Sequence, residues 1–123
     1  VRATPVIPHA EPRKPSTYAV EAPGAAEDGP TDYTAVALTV AKITAILIGT
    51  ASPSVTWTIR FGPDRNAAGT EVVTGGTTTT NITTGDDVTV LTAPAIPADS
   101  FIWLETTAVS GTVTSMSISV VYA

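Results

Sequence analysis

The only histidine of this chain, His9, is the first candidate for general acid–base work, and it stands between Pro8 and Pro12. A histidine acts as a base only where a scaffold holds it within hydrogen-bond reach of a nucleophile, so a Ser-His-Asp arrangement is not expected here. Asp86 and Asp87 are adjacent. On an extended chain adjacent side chains point to opposite faces, which makes them a poor acid–base pair and favours a charged turn before a strand. Asp64, Asn66 and Glu71 place oxygen ligands around Gly69, as a calcium loop would, but without the EF-hand spacing. The competing expectation is a turn in which Asp64 and Asn66 bond their own backbone. Asn81-Ile82-Thr83 fits a glycosylation sequon, within a threonine tract. Trp57 and Trp103 have the chemistry to stack on a sugar, yet each alternates with apolar residues, which favours core packing. With no cysteine, disulfides and thiolate chemistry are absent. A small hydrolase would require a deep pocket lined by Asp64, Glu71 and Glu105; the expectation is a protein that is not an enzyme and holds no cofactor or metal.

The elements that must position these residues divide at Pro30. Pro5, Pro8, Pro12, Pro15, Pro23 and Pro30, six of the ten prolines, fall in residues 1–30. They fix φ and remove backbone donors at spacings that no helix or central strand tolerates. The expectation is an extended N-terminal arm over 1–30 and one β domain over 31–123, with room for a single core. In a polyproline conformation, at ~3.1 Å per residue, such an arm reaches about 90 Å, well beyond a domain whose radius of gyration is about 12 Å. Ordering it costs on the order of 1 kcal/mol per residue, which calls for roughly 1,000 Å² of apolar burial on a partner. Val1, Val6, Ile7, Tyr18 and Val20 are its expected anchors, and Arg2, Arg13 and Lys14 can pair with an acidic partner.

The net charge is −5, which offers nucleic acid no basic face. VRATP lacks the apolar core of a signal peptide, and the longest apolar run, Ile43 to Ile48, is too short for a membrane helix, so a soluble protein without membrane contact is expected. Val1 fits removal of an initiator methionine or trimming of a longer precursor equally well. Threonine makes up roughly a fifth of the chain, a β-branched bias that favours strands over helix.

Thr34 to Val40 and Lys42 to Thr50 read as one kinked strand or two, with a helix over 34–48 as the competing assignment. Ser52-Pro53-Ser54 reads as a turn. Val55 to Phe61 alternates, with Val55, Trp57, Ile59 and Phe61 on one face. Short strands follow at Thr70 to Thr74 and at Asp87 to Thr92, where Val88 and Val90 face one way. Ser100 to Thr107 and Thr112 to Tyr122 complete the set, joined by a hairpin turn at Ser110-Gly111. Seven or eight strands with short turns predict an all-β, β-sandwich or jelly-roll-like domain. Trp57, Ile59, Phe61, Trp103, Met116, Ile118 and Tyr122 are candidates for its core or for a seam between copies.

Residues 54–76 (SVTWTIRFGPDRNAAGTEVVTGG) and 96–123 (IPADSFIWLETTAVSGTVTSMSISVVYA) resemble small β-rich virion proteins of tailed bacteriophages. Such modules occur as head decoration (cement) proteins and as parts of tail or fibre proteins. Together with the arm, the resemblance implies a homotrimeric decoration protein on the outer capsid surface, bridging neighbouring major capsid proteins. The alternative is a receptor- or carbohydrate-binding module of a tail fibre, with the 77–84 threonine tract and an exposed Trp57 or Trp103 as its contact surface.

Overall fold

A computed structural model of the chain describes residues 15–26 and 28–123. Its eight strands are β1 (Ser16–Glu21), β2 (Asp28–Thr34), β3 (Leu38–Gly62), β4 (Thr70–Glu71), β5 (Thr77–Thr79), β6 (Asp86–Val88), β7 (Ala95–Ile96) and β8 (Ser100–Tyr122). The protein is all-β, with no helix among the described residues, so the helical alternative over 34–48 is not adopted. All pairing is antiparallel. β3 and β8 form the central ladder; β1 and β2 pair along the outer side of β8, and β4 to β7 along the outer side of β3.

The ladder runs from Val40 opposite Tyr122 to Gly62 opposite Phe101 and is interrupted by bulges. The largest lies between Thr50 and Ser54, which oppose Thr112 and Ser110. There Ala51 and Ser52 take positive φ (57° and 56°), and Gly111 across from them has φ 68°. Extra residues on one strand of an antiparallel pair bend and twist it. The expected hairpin turn at Ser110-Gly111 is therefore corrected: β8 continues through it as one strand. Ser52-Pro53-Ser54 and Ser110-Gly111 are the two sides of one bend in two paired strands. A Cβ on Gly111 would lie 2.6 Å from the carbonyl oxygens of both Ala51 and Ser52, so only glycine fits.

Beyond the bend each arm of the ladder carries its own alternation. Ile43, Ala45 and Leu47 on one side, and Val55, Trp57, Ile59 and Phe61 on the other, enter a single buried cluster with Ile102, Leu104, Met116, Ile118, Val120 and Tyr122. Trp57 is fully buried, and its indole N–H donates to Thr79 Oγ1 at 2.9 Å, so its polar atom is satisfied. Val88 packs on the cluster, but Val90 is 86% exposed, because β6 ends at Val88 and the expected alternation to Thr92 does not continue. The expected strand at Thr70 to Thr74 likewise shortens to Thr70–Glu71, and the one expected from Thr34 starts at Leu38, after Thr34 Oγ1 closes a turn on Val36.

The second correction concerns the arm. Ser16–Glu21 is an edge strand, not part of an extended arm: Ser16 pairs with Val120 and Val20 with Met116, and Ser16, Tyr18 and Val20 point inward. Tyr18 and Val20 thus lie in the chain's own core. Pro15 and Pro23 flank this strand without entering it, and STYAVE carries the period-2 pattern. Pro30 sits in the bulge of β2 between Asp28 and Thr31, where a missing backbone donor is tolerated. The remaining expected arm residues, Val1, Arg2, Val6, Ile7, Arg13 and Lys14, and also His9, lie outside the described residues.

Polar bonds tie β1 to β2 across the bent ladder. Ser16 Oγ donates to Asp32 Oδ2 at 2.8 Å, which leaves Tyr122 Oη as the donor in its 2.7 Å bond to Ser16. Tyr18 Oη donates to the Ile102 carbonyl at 3.4 Å. Burial, followed by the neighbouring Tyr122, pushes the Tyr18 phenol above its ordinary 10.0, and burial raises Tyr122 as well.

Two outcomes follow. Gly111→Val is expected to lower stability by about 2 kcal/mol or more in urea unfolding, from backbone strain and the clash at the bend. Below pH 10 both phenols are neutral in either state; above it the unfolded chain loses its protons first, so stability falls as pH rises. Tm should hold steady from about pH 7 to 9 and drop above about 10, less steeply in Tyr122→Phe.

Candidate functional site

The richest grouping of polar side chains lies on the face of β3 and β8 turned away from the core. Alternation dictates its membership: with Ile59 and Phe61 inward, Arg60 faces out, and with Ile102 and Leu104 inward, Trp103 and Glu105 face out. Arg60 stands opposite Trp103 on β8 and opposite Glu71 on β4. Its guanidinium donates to Glu71 Oε1 at 2.6 Å and to the Ala68 carbonyl at 3.0 Å. Its Nε lies 3.0 Å from Glu105 Oε2, an ion pair whose N–H is not aligned as a hydrogen bond. Glu71 Oε2 accepts from the Gly75 amide at 2.7 Å. One cation thus holds two carboxylates and the end of the 63–69 loop.

That loop explains why Trp103, on an outward face, is only 1% exposed. Gly69, at φ 70°, brings the backbone against the indole, where a Cβ would lie 2.8 Å from the ring edge. Arg65 lies over the same ring with its guanidinium carbon 4.7 Å from the centroid, a cation–π contact. Its Nε donates to Thr31 Oγ1 at 2.8 Å, and a terminal nitrogen reaches Asp28 Oδ2 at 3.4 Å. Beside them opens a cleft of about 410 Å³, walled by Arg65, Asn66, Ala67 and Ala68 and by Asp28, Trp103 and Glu105. Further along β8, Phe101 and Tyr33 stack tilted, 5.0 Å apart, and Tyr33 Oη donates to Asp99 Oδ1 at 3.0 Å. That bond raises the Tyr33 phenol above its ordinary value.

Of the carboxylates singled out from the sequence, Glu71 and Glu105 meet at Arg60, and Asp64 is turned to its own loop. Asp64 Oδ1 accepts the Asn66 amide at 2.9 Å and the Asp64 carbonyl accepts the Ala67 amide at 3.1 Å, which is the plain turn. Glu71 is committed to Arg60 and Gly75, and no metal-ligating cluster exists among the described residues. The pocket a hydrolase would need is lined by Glu105 but by neither Asp64 nor Glu71. Asp87 accepts from Thr44 Oγ1 at 2.7 Å and lies 3.8 Å from Lys42 Nζ, an exposed pair of small worth. Asn81 organises its own loop: its Oδ1 accepts the amides of Thr83, Thr84 and Gly85, and its Nδ2, the atom a glycan would occupy, donates to the Gly85 carbonyl.

Trp57 and Trp103 are both buried, but in different places. Trp57 belongs to the core cluster with Ile59, Phe61, Met116, Ile118 and Tyr122, and Trp103 lies on the opposite face under Arg65. Arg60 and Arg65 carry this site, and sequence reasoning did not single them out. For Arg60 the sequence signal reaches only to its place on the polar face of VTWTIRF, since a charge on a wet face is satisfied by water as well as by carboxylates.

No family model, curated protein or solved structure matches the chain.

Arg60→Met leaves Glu71 and Glu105, each about a quarter exposed, without their shared cation. Stability is expected to fall by about 2 kcal/mol in chemical denaturation, with most of it regained when Glu71→Gln and Glu105→Gln are added.

Proposed function

We propose that the protein is a virion structural protein, a decoration (cement) protein of the outer capsid surface that works mechanically, with its N-terminal segment bridging neighbouring major capsid proteins. The observation that carries this reading is that β1 lies at the sheet edge and is held in the core by Tyr18 and Val20, so residues 1–14 precede a firmly anchored strand. Those residues carry Pro5, Pro8 and Pro12, and Arg2, Arg13 and Lys14 against Glu11 alone. In a polyproline conformation, at ~3.1 Å per residue, fourteen residues span about 43 Å.

In this reading the bent ladder supplies two leaves of a sandwich with jelly-roll-like connections, and three copies associate. The charged pairs of the outer face are consumed in holding loop and sheet together, as suits a load-bearing part. The tail-fibre alternative loses its specific support, since neither tryptophan is exposed.

The test compares three forms of the full protein on undecorated capsids. The chain lacking residues 1–14 should keep its Tm and lose capsid binding. Tyr18→Ala should instead lose about 3–5 kcal/mol of stability, as expected for a large buried side chain. Binding that survives removal of residues 1–14, or no binding by the intact chain, overturns the proposal; in the latter case a glycan screen addresses the fibre reading.

A further inference from the structure

A sheet edge is covered, blunted or paired with another strand, because its outward N–H and C=O groups have no partner within the sheet. The edges of this fold are treated unequally. On the β3 side, β4, β5, β6 and β7 are only two or three residues long. On the β8 side, β2 carries Asp28 and Asp32, and Pro30 sits in its bulge. Short strands, charges, bulges and proline are the devices that keep an edge from pairing. β1 lacks them: it is six residues in unbroken register with β8, without proline, and its single charge, Glu21, stands at its last position. Among the described residues β1 pairs only with β8.

Which backbone groups β1 presents follows from one hydrogen bond. The Ala22 amide donates to the Thr114 carbonyl at 2.8 Å, so Ala22, and with it Val20, Tyr18 and Ser16, turn their backbone groups to β8. Alternation along an antiparallel ladder turns the N–H and C=O of Thr17, Ala19 and Glu21 the other way, to the open edge. The side chains of these three residues are exposed. Thr17 and Ala19 are small, which lets a strand approach.

Those three residues select their own partner. With a second β1 laid antiparallel against the first and Ala19 opposite the partner's Ala19, Thr17 falls opposite the partner's Glu21, and Glu21 opposite the partner's Thr17. Every outward residue of both copies then occupies a hydrogen-bonded pair, about six backbone bonds in all. Glu21 meets a hydroxyl rather than a second carboxylate. A shift by two residues leaves one outward residue of each copy unpaired, and the register that brings Glu21 opposite the partner's Glu21 sets like charges together. The strand is complementary to itself about a two-fold axis.

We infer that β1 is a self-association edge: two copies of this chain pair antiparallel through Ser16–Glu21, with the axis at Ala19, and join their sheets into one. One strand pair is a small interface, so the association is weak and depends on concentration. The inference goes beyond the capsid reading and does not rest on it. A two-fold pair does not close a trimer, so the three-fold association of that reading uses another surface.

The chain has no cysteine, so single cysteines report the register. In a hydrogen-bonded antiparallel pair the Cα atoms stand about 5.5 Å apart, within reach of a disulfide. Full-length Ala19→Cys, oxidised, should give about tenfold more linked dimer than Thr17→Cys or Glu21→Cys alone. An equal mixture of those two variants should link one to the other. In sedimentation up to the millimolar range the cysteine-free wild type should associate, and Ala19→Lys, which sets two cations opposite each other, should lower the association constant about tenfold or more. Ala19→Pro removes an outward N–H and should do the same. Circular dichroism and Tm check the fold of each variant, and Ala19→Lys alters only an exposed side chain. A wild type that stays monomeric, cysteines that link equally at all three positions, or an Ala19→Lys protein that associates like the wild type overturns the inference.

Discussion

The antiparallel ladder between β3 and β8 is the constraint on which everything else depends. Two strands of 25 and 23 residues are far longer than a small domain can use straight, and a flat ribbon of that length would leave one apolar face in water. The bend at Ala51, Ser52 and Gly111 resolves this by letting residues on both sides of it fill one cluster. Every other strand is short and leans on this pair: β1 and β2 on β8, and β4 to β7 on β3. The positive φ values at the bend are a local cost, and the shared core offsets it.

The same folding creates an outward polar face and a bonded sheet edge. Turning Ile102 and Leu104 inward forces Trp103 and Glu105 outward, and the 63–69 loop then has an aromatic ring and a carboxylate to close upon. Arg60 and Arg65 neutralise that surface from two directions, one between carboxylates and one on the indole. At the edge, the Tyr122–Ser16–Asp32 chain of hydrogen bonds stitches β1 to β2.

Strand content was legible because period-2 alternation is strong in VTWTIRF and in the last strand, where Met116, Ile118, Val120 and Tyr122 all proved buried. Connectivity was not, because a bulge and a hairpin turn draw on the same residues: Ser-Pro-Ser and Ser-Gly favour positive φ or broken pairing in both cases. β1 was hidden by averaging proline over thirty residues, when six residues between Pro15 and Pro23 carry a complete strand pattern. At the site, the turn at Asp64 could be read locally, since its bonds span two or three residues. The ion pairs of Arg60 could not, since its partners come from β4 and β8 and depend on register.

The central claim is that Ser16–Glu21 belongs to the sheet and that the bent ladder is one cooperative unit. Hydrogen exchange of the full-length protein tests it most directly. The amides of Ser16–Glu21 that face β8 should be protected to the same order as those of residues 115–120, and protection should be continuous through β8 on both sides of Gly111. Rapid exchange across Ser16–Glu21, or protection on only one side of the bend, would contradict the account.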